Sequence, residues 1–155
     1  MFEIKIFKEK DRTTVARRYN SKAYPDVPWF DFATELTKLG HLSKEWGIVE
    51  YLSEREWDPE DHDYYLLLEV HGEIKIEPPF EKRILHGGKV ASILHRGDFS
   101  CLEKPYTRLL NWIEENGYHI SGNLRKIHLR CPRNTIDTEG FVTELQIPID
   151  KEVGQ

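Results

Sequence analysis

Two ionisable side chains near the end of the chain, Glu144 and His128, are of types that hold a cation or move a proton. Glu144 lies in Phe141-Val142-Thr143-Glu144-Leu145-Gln146-Ile147-Pro148-Ile149, which alternates as a strand with two different faces does. Thr143, Leu145 and Ile147 point one way; Val142, Glu144 and Gln146 point the other. Pro148 predicts an edge position or the strand's end. Such a carboxylate is a solvated charge, a counter-charge for a ligand, or, with its pKa raised, a general acid or base. His128, on the strand before, is placed to orient that carboxylate or share its proton. Tyr51, Tyr65 and Trp112 supply rings for stacking and cation–π contact, though Trp29 and Trp112 suit a helix core equally well. Gln146 and Leu67 complete the candidate ligand-binding set. The acidic stretch from Ser53 to Asp63 lacks the glycine that a calcium loop needs at its turn, so it reads as solvated. No metal and no cofactor are expected.

The elements that must position these residues follow from periodicity. Glu3 to Lys8 alternates as a strand, Arg12-Thr13-Thr14 reads as a turn, and Val15 to Tyr19 as a second strand. Pro28 suits a first helical position, with Asp26 near the positive end of the dipole. Trp29, Phe32, Ala33, Leu36 and Leu39 form a helical stripe ended by Gly40. Strands are expected from Gly47 to Leu52 and from Tyr64 to Val70. After a crossover from Gly72 to Pro79, Lys82 to His86 is a strand, Gly87-Gly88 a turn and Val90 to Leu94 a strand. Ser100-Cys101-Leu102-Glu103 is a capping box. It opens a helix carrying Tyr106, Leu109, Leu110, Trp112 and Ile113, with Pro105 in its first turns and Asn116-Gly117 at its end. Leu124 to Arg130 is the strand before the last.

Each half thus reads strand, strand, helix, strand, strand. Val90-Ala91 matches Val15-Ala16, and an offset of roughly 75 to 78 residues relates the halves, about 1–72 and 80–150. The expected class is α+β: a tandem duplication with antiparallel sheets, two main helices and a ligand cleft where the modules meet, all in a single domain over 1–155. Leu66, Leu68, Val70, Leu145 and Ile147 would pack under the helices. Tyr65, Leu67 and Tyr51 would face the other way. Carrying the offset through sets Glu144 opposite Leu67 in the duplication, and His128 opposite Tyr51. An acid at an otherwise apolar seam needs a partner or a ligand, because burial costs an unpaired charge several kcal/mol.

At 155 residues with 39% hydrophobic and 32% charged side chains, the chain has enough apolar material for a core. A net charge of −5 argues against nucleic acid as the main partner. The N-terminus is too charged for a signal peptide, and the run from Tyr64 to Leu68 is far too short to span a membrane. Cys101 and Cys131 read as reduced thiols, and a cytoplasmic location is expected.

Three motifs in the second half resemble a known family. His95-Arg96-Gly97-Asp98-Phe99 is like H-x-G-x-Y, and Trp112 to Tyr118 is like W-x-x-x-N-G-Y. Thr143 to Ile149 is close to T-E-[IL]-x-[IV]-P-[IV]. The chain resembles the GyrI-like small-molecule-binding domain, also called the AraC effector-binding domain. The resemblance implies two strand-helix-strand-strand modules with a cleft that takes lipophilic, often cationic compounds, and it places the family's cleft glutamate on Glu144. Some relatives are fused to a DNA-binding helix-turn-helix. Others are similar to hydrolases that open cyclopropane-bearing compounds. Where the family commonly carries Glu-x-Tyr, this chain has Lys126-Ile127-His128. With strand pattern starting at residue 3, no helix-turn-helix is expected in front of the domain.

Three functions follow as expectations. The first is a free-standing module that binds hydrophobic or cationic small molecules, in drug or toxin sensing or sequestration. The second is a hydrolase of strained electrophiles with Glu144 as its acid or base. The third is a protein partner that modulates a topoisomerase.

Overall fold

In the computed structural model the alternating segments become strands of one antiparallel sheet; the structure describes residues 3–21, 31, 32, 34–36, 38, 47–52, 62–70, 75–96, 103–130 and 142–151. The strands are β1 (Ile4–Glu9), β2 (Arg12–Ser21), β3 (Gly47–Tyr51), β4 (His62–Glu69), β5 (Glu81–Leu85), β6 (Gly88–Arg96), β7 (Tyr118–Ile120), β8 (Arg125–Arg130) and β9 (Val142–Lys151). Helix α1 is helical at 31, 32, 34–36 and 38, and α2 runs over Glu103–Glu115. The class is α+β.

The sheet order is β1-β6-β9-β8-β3-β4-β2-β5, with β7 added alongside β9. The order reads the same from either end when β1 is exchanged with β5, β2 with β6, β3 with β8 and β4 with β9. Arg12-Thr13-Thr14, expected as a turn, belongs to β2. The link is Lys10-Asp11, and it makes no hairpin: β1 pairs with β6, while β2 pairs with β4 and β5. Six strand spacings separate β1 from β2 in that order, about 29 Å in a flat sheet. Three residue steps, from Glu9 to Arg12, span at most about 11 Å. The sheet must therefore curl until its two edges meet.

The return link, His86-Gly87, crosses the first in close contact. Gly87 N–H donates to Asp11 Oδ1 at 2.7 Å. A Cβ at Gly87 would lie 2.6 Å from the Lys10 carbonyl carbon and closer still to Glu9 O. Gly88, with φ +97°, opens β6 in the left-handed region.

The helices cover the convex face. Phe32 and Leu36, one turn apart, are buried against Val15, Val49, Leu66, Leu68 and Phe80. Trp29, Ala33, Leu39 and the Gly40 cap lie outside the described residues. Leu109 and Ile113 of α2 pack on Ala91, Ile93, Leu145, Ile147 and Ile149. Pro105 is the third residue of α2, as expected, while Ser100 lies outside the described residues. Asn116 Nδ2 donates to Trp112 O at 2.8 Å, and Gly117, φ +76°, turns the chain out of the helix. It enters β7, which pairs with Ile149 to Lys151 and carries β9 past the expected end. β9 is not an edge strand, since β6 and β8 flank it. Pro148 falls beyond the last β8 pair, Arg125 with Gln146, so no ladder bond to β8 is lost there.

Candidate ligand-binding site

The face turned away from the helices is the concave one. Arg83 on β5 reaches across two intervening strands to donate from Nε to Glu50 Oε1 on β3 at 2.8 Å. Ala16, Ile48, Tyr65, Leu67, Leu85 and Ile127 form the apolar cluster of this face.

Glu144 stands on the same face, opposite Leu94 of β6 and Ile127 of β8. Continuing across the sheet in register, Ile127 meets Ile48, Ile48 meets Leu67 and Leu67 meets Ala16. One acid therefore ends a row of four buried apolar side chains. Leu94, on its other side, is 42% exposed. Glu144 is half-buried. Its Oε2 accepts from Ser92 Oγ at 2.6 Å and from Gln146 Nε2 at 2.9 Å. Oε1 has no hydrogen bond among the described residues. No cation there pairs with the carboxylate.

Gln146 is buried, and its amide also donates to Glu9 Oε2 at 3.0 Å. Glu9 in turn takes Arg12 Nη2 at 3.2 Å. Burial pushes the Glu9 pKa up, but the bonds from Gln146, Arg12 and the Lys10 amide hold it below the ordinary value. The polar end of the face is thus a chain running from Arg12 through Glu9 and Gln146 to Glu144, and its last member carries no cationic partner. Tyr65 is two residues from Leu67 on β4, and the Arg83 guanidinium lies 3.9 Å from its ring centroid.

Four of the residues singled out in the sequence, Glu144, Gln146, Tyr65 and Leu67, share the concave face. The other three do not. His128 pairs with Thr143, so it points to the helix side, away from Glu144. It is fully buried there, and desolvation, with Lys126 close by, holds its pKa well below the usual histidine value. The expected pairing of Glu144 with His128 does not form, because adjacent strand positions alternate faces and Ile127 takes the place beside the acid. Tyr51 pairs with Tyr64 and belongs to the α1 core. Trp112 is on α2, stacked on Tyr118 with ring centroids 6.0 Å apart. Lys126, like His128, faces the helices, opposite Val49 and Leu145, so both departures from Glu-x-Tyr fall on the convex side.

Ser92, Glu9 and Arg12 were not legible as site residues. Ser92 left one signal, a small polar residue at an alternating position among Val90, Ala91 and Ile93. Glu9 and Arg12 left none, because charged residues surround them. Among the described residues no helix is long and apolar enough to cross a membrane, and no group of three or more His, Cys, Asp or Glu is placed to hold a metal. The acidic stretch lies outside the described residues except for its last two positions, His62 and Asp63, and Cys101 and Cys131 lie outside them altogether.

Solved structures share this fold. The C-terminal domain of EcmrR superposes with a TM-score of 0.89 at 18% identity, over 98% of this chain and 99% of that one. Against EcmrR in its DNA complex, this chain spans 58% of that chain's length. A hydrolase from Listeria innocua gives 0.65 at 12% identity, covering 96% of this chain and 92% of that one. SAV2435 bound to tetraphenylphosphonium gives 0.65 at 10%, covering 96% and 94%. At these identities the likeness is one of fold. No curated protein sequence matches the chain. The GyrI-like small molecule binding domain matches residues 29–150 in sequence, most of the chain, and the chain belongs to that family.

Proposed function

We propose that this protein binds lipophilic, cationic small molecules in a cleft on the concave face, for sensing or sequestering drugs or toxins, with Glu144 as the counter-charge. The observation that carries this reading is the half-bonded carboxylate. Two neutral donors fix Oε2 without cancelling the charge, Oε1 accepts no hydrogen bond among the described residues, and the cross-strand neighbours of Glu144 are the apolar Leu94 and Ile127. An acid against apolar walls suits a soft cation better than a metal ion, which would want several oxygen ligands. Tyr65 and Leu67 extend the apolar lining. That SAV2435 takes tetraphenylphosphonium on the same fold supports the ligand class.

The reading includes a tandem duplication whose first strands, β1 and β5, have changed places between the halves. With Glu9 set on Leu85 and Arg12 on Gly88, where the corresponding strands end and begin, keeping the strand pairings in register sets Val15 on Ala91 and Tyr51 on His128. It also sets Tyr65, rather than Leu67, at the place of Glu144, and Leu67 at that of Gln146. One half offers a phenol where the other offers an acid. A hydrolytic role would have to rest on Glu144 without His128, which faces the helices.

Calorimetric titration of tetraphenylphosphonium into the wild type and Glu144→Gln tests the proposal. The amide keeps the shape and loses the charge, so binding should weaken about tenfold, or 1.4 kcal/mol, with the fold retained. Trp112→Phe, on the far side of the sheet, should bind as the wild type does. Equal affinity in Glu144→Gln would remove the counter-charge role.

A further inference from the structure

Arg125 is 2% exposed, and its Nε and Nη1 have no hydrogen-bond partner among the described residues. Its neighbours across the sheet are Glu50 on β3 and Gln146 on β9. Neither serves it. Glu50 gives Oε1 to Arg83 at 2.8 Å and Oε2 to Asn123 Nδ2 at 3.1 Å, so its charge is matched by another cation. The Gln146 amide donates away, to Glu9 and Glu144. Burial outweighs the attraction of Glu50 and Glu9 and holds the Arg125 pKa below the ordinary arginine value.

A cavity of about 590 Å³ has Arg125 in its wall, with Arg83, Asn123, Ser121 and Glu50 among others. Glu144, Gln146 and Leu67 are not part of its wall. Lys82, Arg83 and Arg125 outnumber Glu50 and Glu81 in the lining, so the cavity carries a cationic excess. Its volume suits a small organic molecule. A buried guanidinium with unused donors is costly, and its planar fork matches the geometry of a carboxylate or phosphate.

We infer that this cavity is a second ligand site, for an oxyanion of the carboxylate or phosphate class, with Arg125 as its main contact. It is opposite in charge to the proposed cation site and does not depend on it. Asn123 lies on the wall with one amide hydrogen directed to Glu50 and a second to offer, and Ser121 adds a hydroxyl.

Arginine Nε–H resonances of the wild-type protein, followed by ¹H–¹⁵N NMR, test the inference with benzoate and with inorganic phosphate, against chloride at matched ionic strength. A saturable shift of the Arg125 resonance is expected with one of the two oxyanions. Arg125→Met identifies that resonance by its loss and should weaken binding at least tenfold; Asn123→Ala, a milder change, should weaken it severalfold. Tighter binding of benzoate marks organic carboxylates as the ligand class, and tighter binding of phosphate marks phosphates. Glu144→Gln should retain the anion response while losing affinity for tetraphenylphosphonium, so the two sites fail separately. No shift with either oxyanion, an equal shift with chloride, or unchanged binding in Arg125→Met would overturn the assignment.

Discussion

The Ser92 hydroxyl, on β6, donates a 2.6 Å hydrogen bond to Oε2 of Glu144 on the neighbouring strand β9. Because the donor is neutral, the bond orients the carboxylate and leaves its charge in place. The second donor, the Gln146 amide, is also neutral and binds the same oxygen. The outcome is a fixed negative group at the end of an apolar row, with one oxygen uncommitted. A salt bridge at this place would already have used the charge.

Gln146 is the residue that sets the acid in position. Gln146→Leu removes the donor shared by Glu9 and Glu144 and leaves two carboxylates facing a buried methyl group. A loss of about 1–3 kcal/mol in stability is expected, the usual range for a stranded buried partner. The pH profile should change as well. The folded pKa of Glu9 lies below its ordinary 4.5, so its contribution is present above that value and is lost as pH falls through the lowered one. Without Gln146 the lowering shrinks, so the acid-side loss that Glu9 contributes should be smaller and complete at a higher pH. Thermal unfolding from pH 7 to pH 3 measures both effects. An unchanged acid limb in the variant would contradict the bridging role.

The two crossing links predict a sharp cost at Gly87. Backbone atoms of Glu9 and Lys10 occupy the space a Cβ would need, and backbone cannot give way as the end of a flexible side chain can. Gly87→Ala should therefore lose about 1–3 kcal/mol, as overpacked sites do. Chemical denaturation gives the number. A variant as stable as the wild type would mean that the links do not meet as described.

Much of the fold was readable because a strand with one buried face must alternate. Leu66 and Leu68 against Leu67, and Leu145 and Ile147 against Glu144, fell on the expected faces. The 3.6-residue stripe of α2 and its Asn-Gly end were equally plain. What failed depends on pairing between distant strands. A strand-turn-strand pattern looks the same whether the strands pair with each other or part, so the separation of β1 from β2 left no local mark. Tyr51 and His128 were set on the wrong side for a related reason. In β8 the polar residues, Lys126 and His128, face the helices, while the apolar Ile127 faces the concave side. Polarity suggested the reverse, and only the register against Thr143 and Glu144 decides it. Arg125, at the other end of β8, gave no signal for the same reason: a charged residue in a strand looks solvated until the sheet curls over it.

A crystal structure of the protein with tetraphenylphosphonium bound would show directly whether Glu144 is the counter-charge for the cation. The cation is expected on the concave face, its phosphorus within about 6 Å of the Glu144 carboxylate, a range over which opposite charges interact strongly, with phenyl groups against Leu94 and Ile127. A cation seated instead on the helix side beside Trp112, with the Glu144 carboxylate still facing solvent, would contradict it.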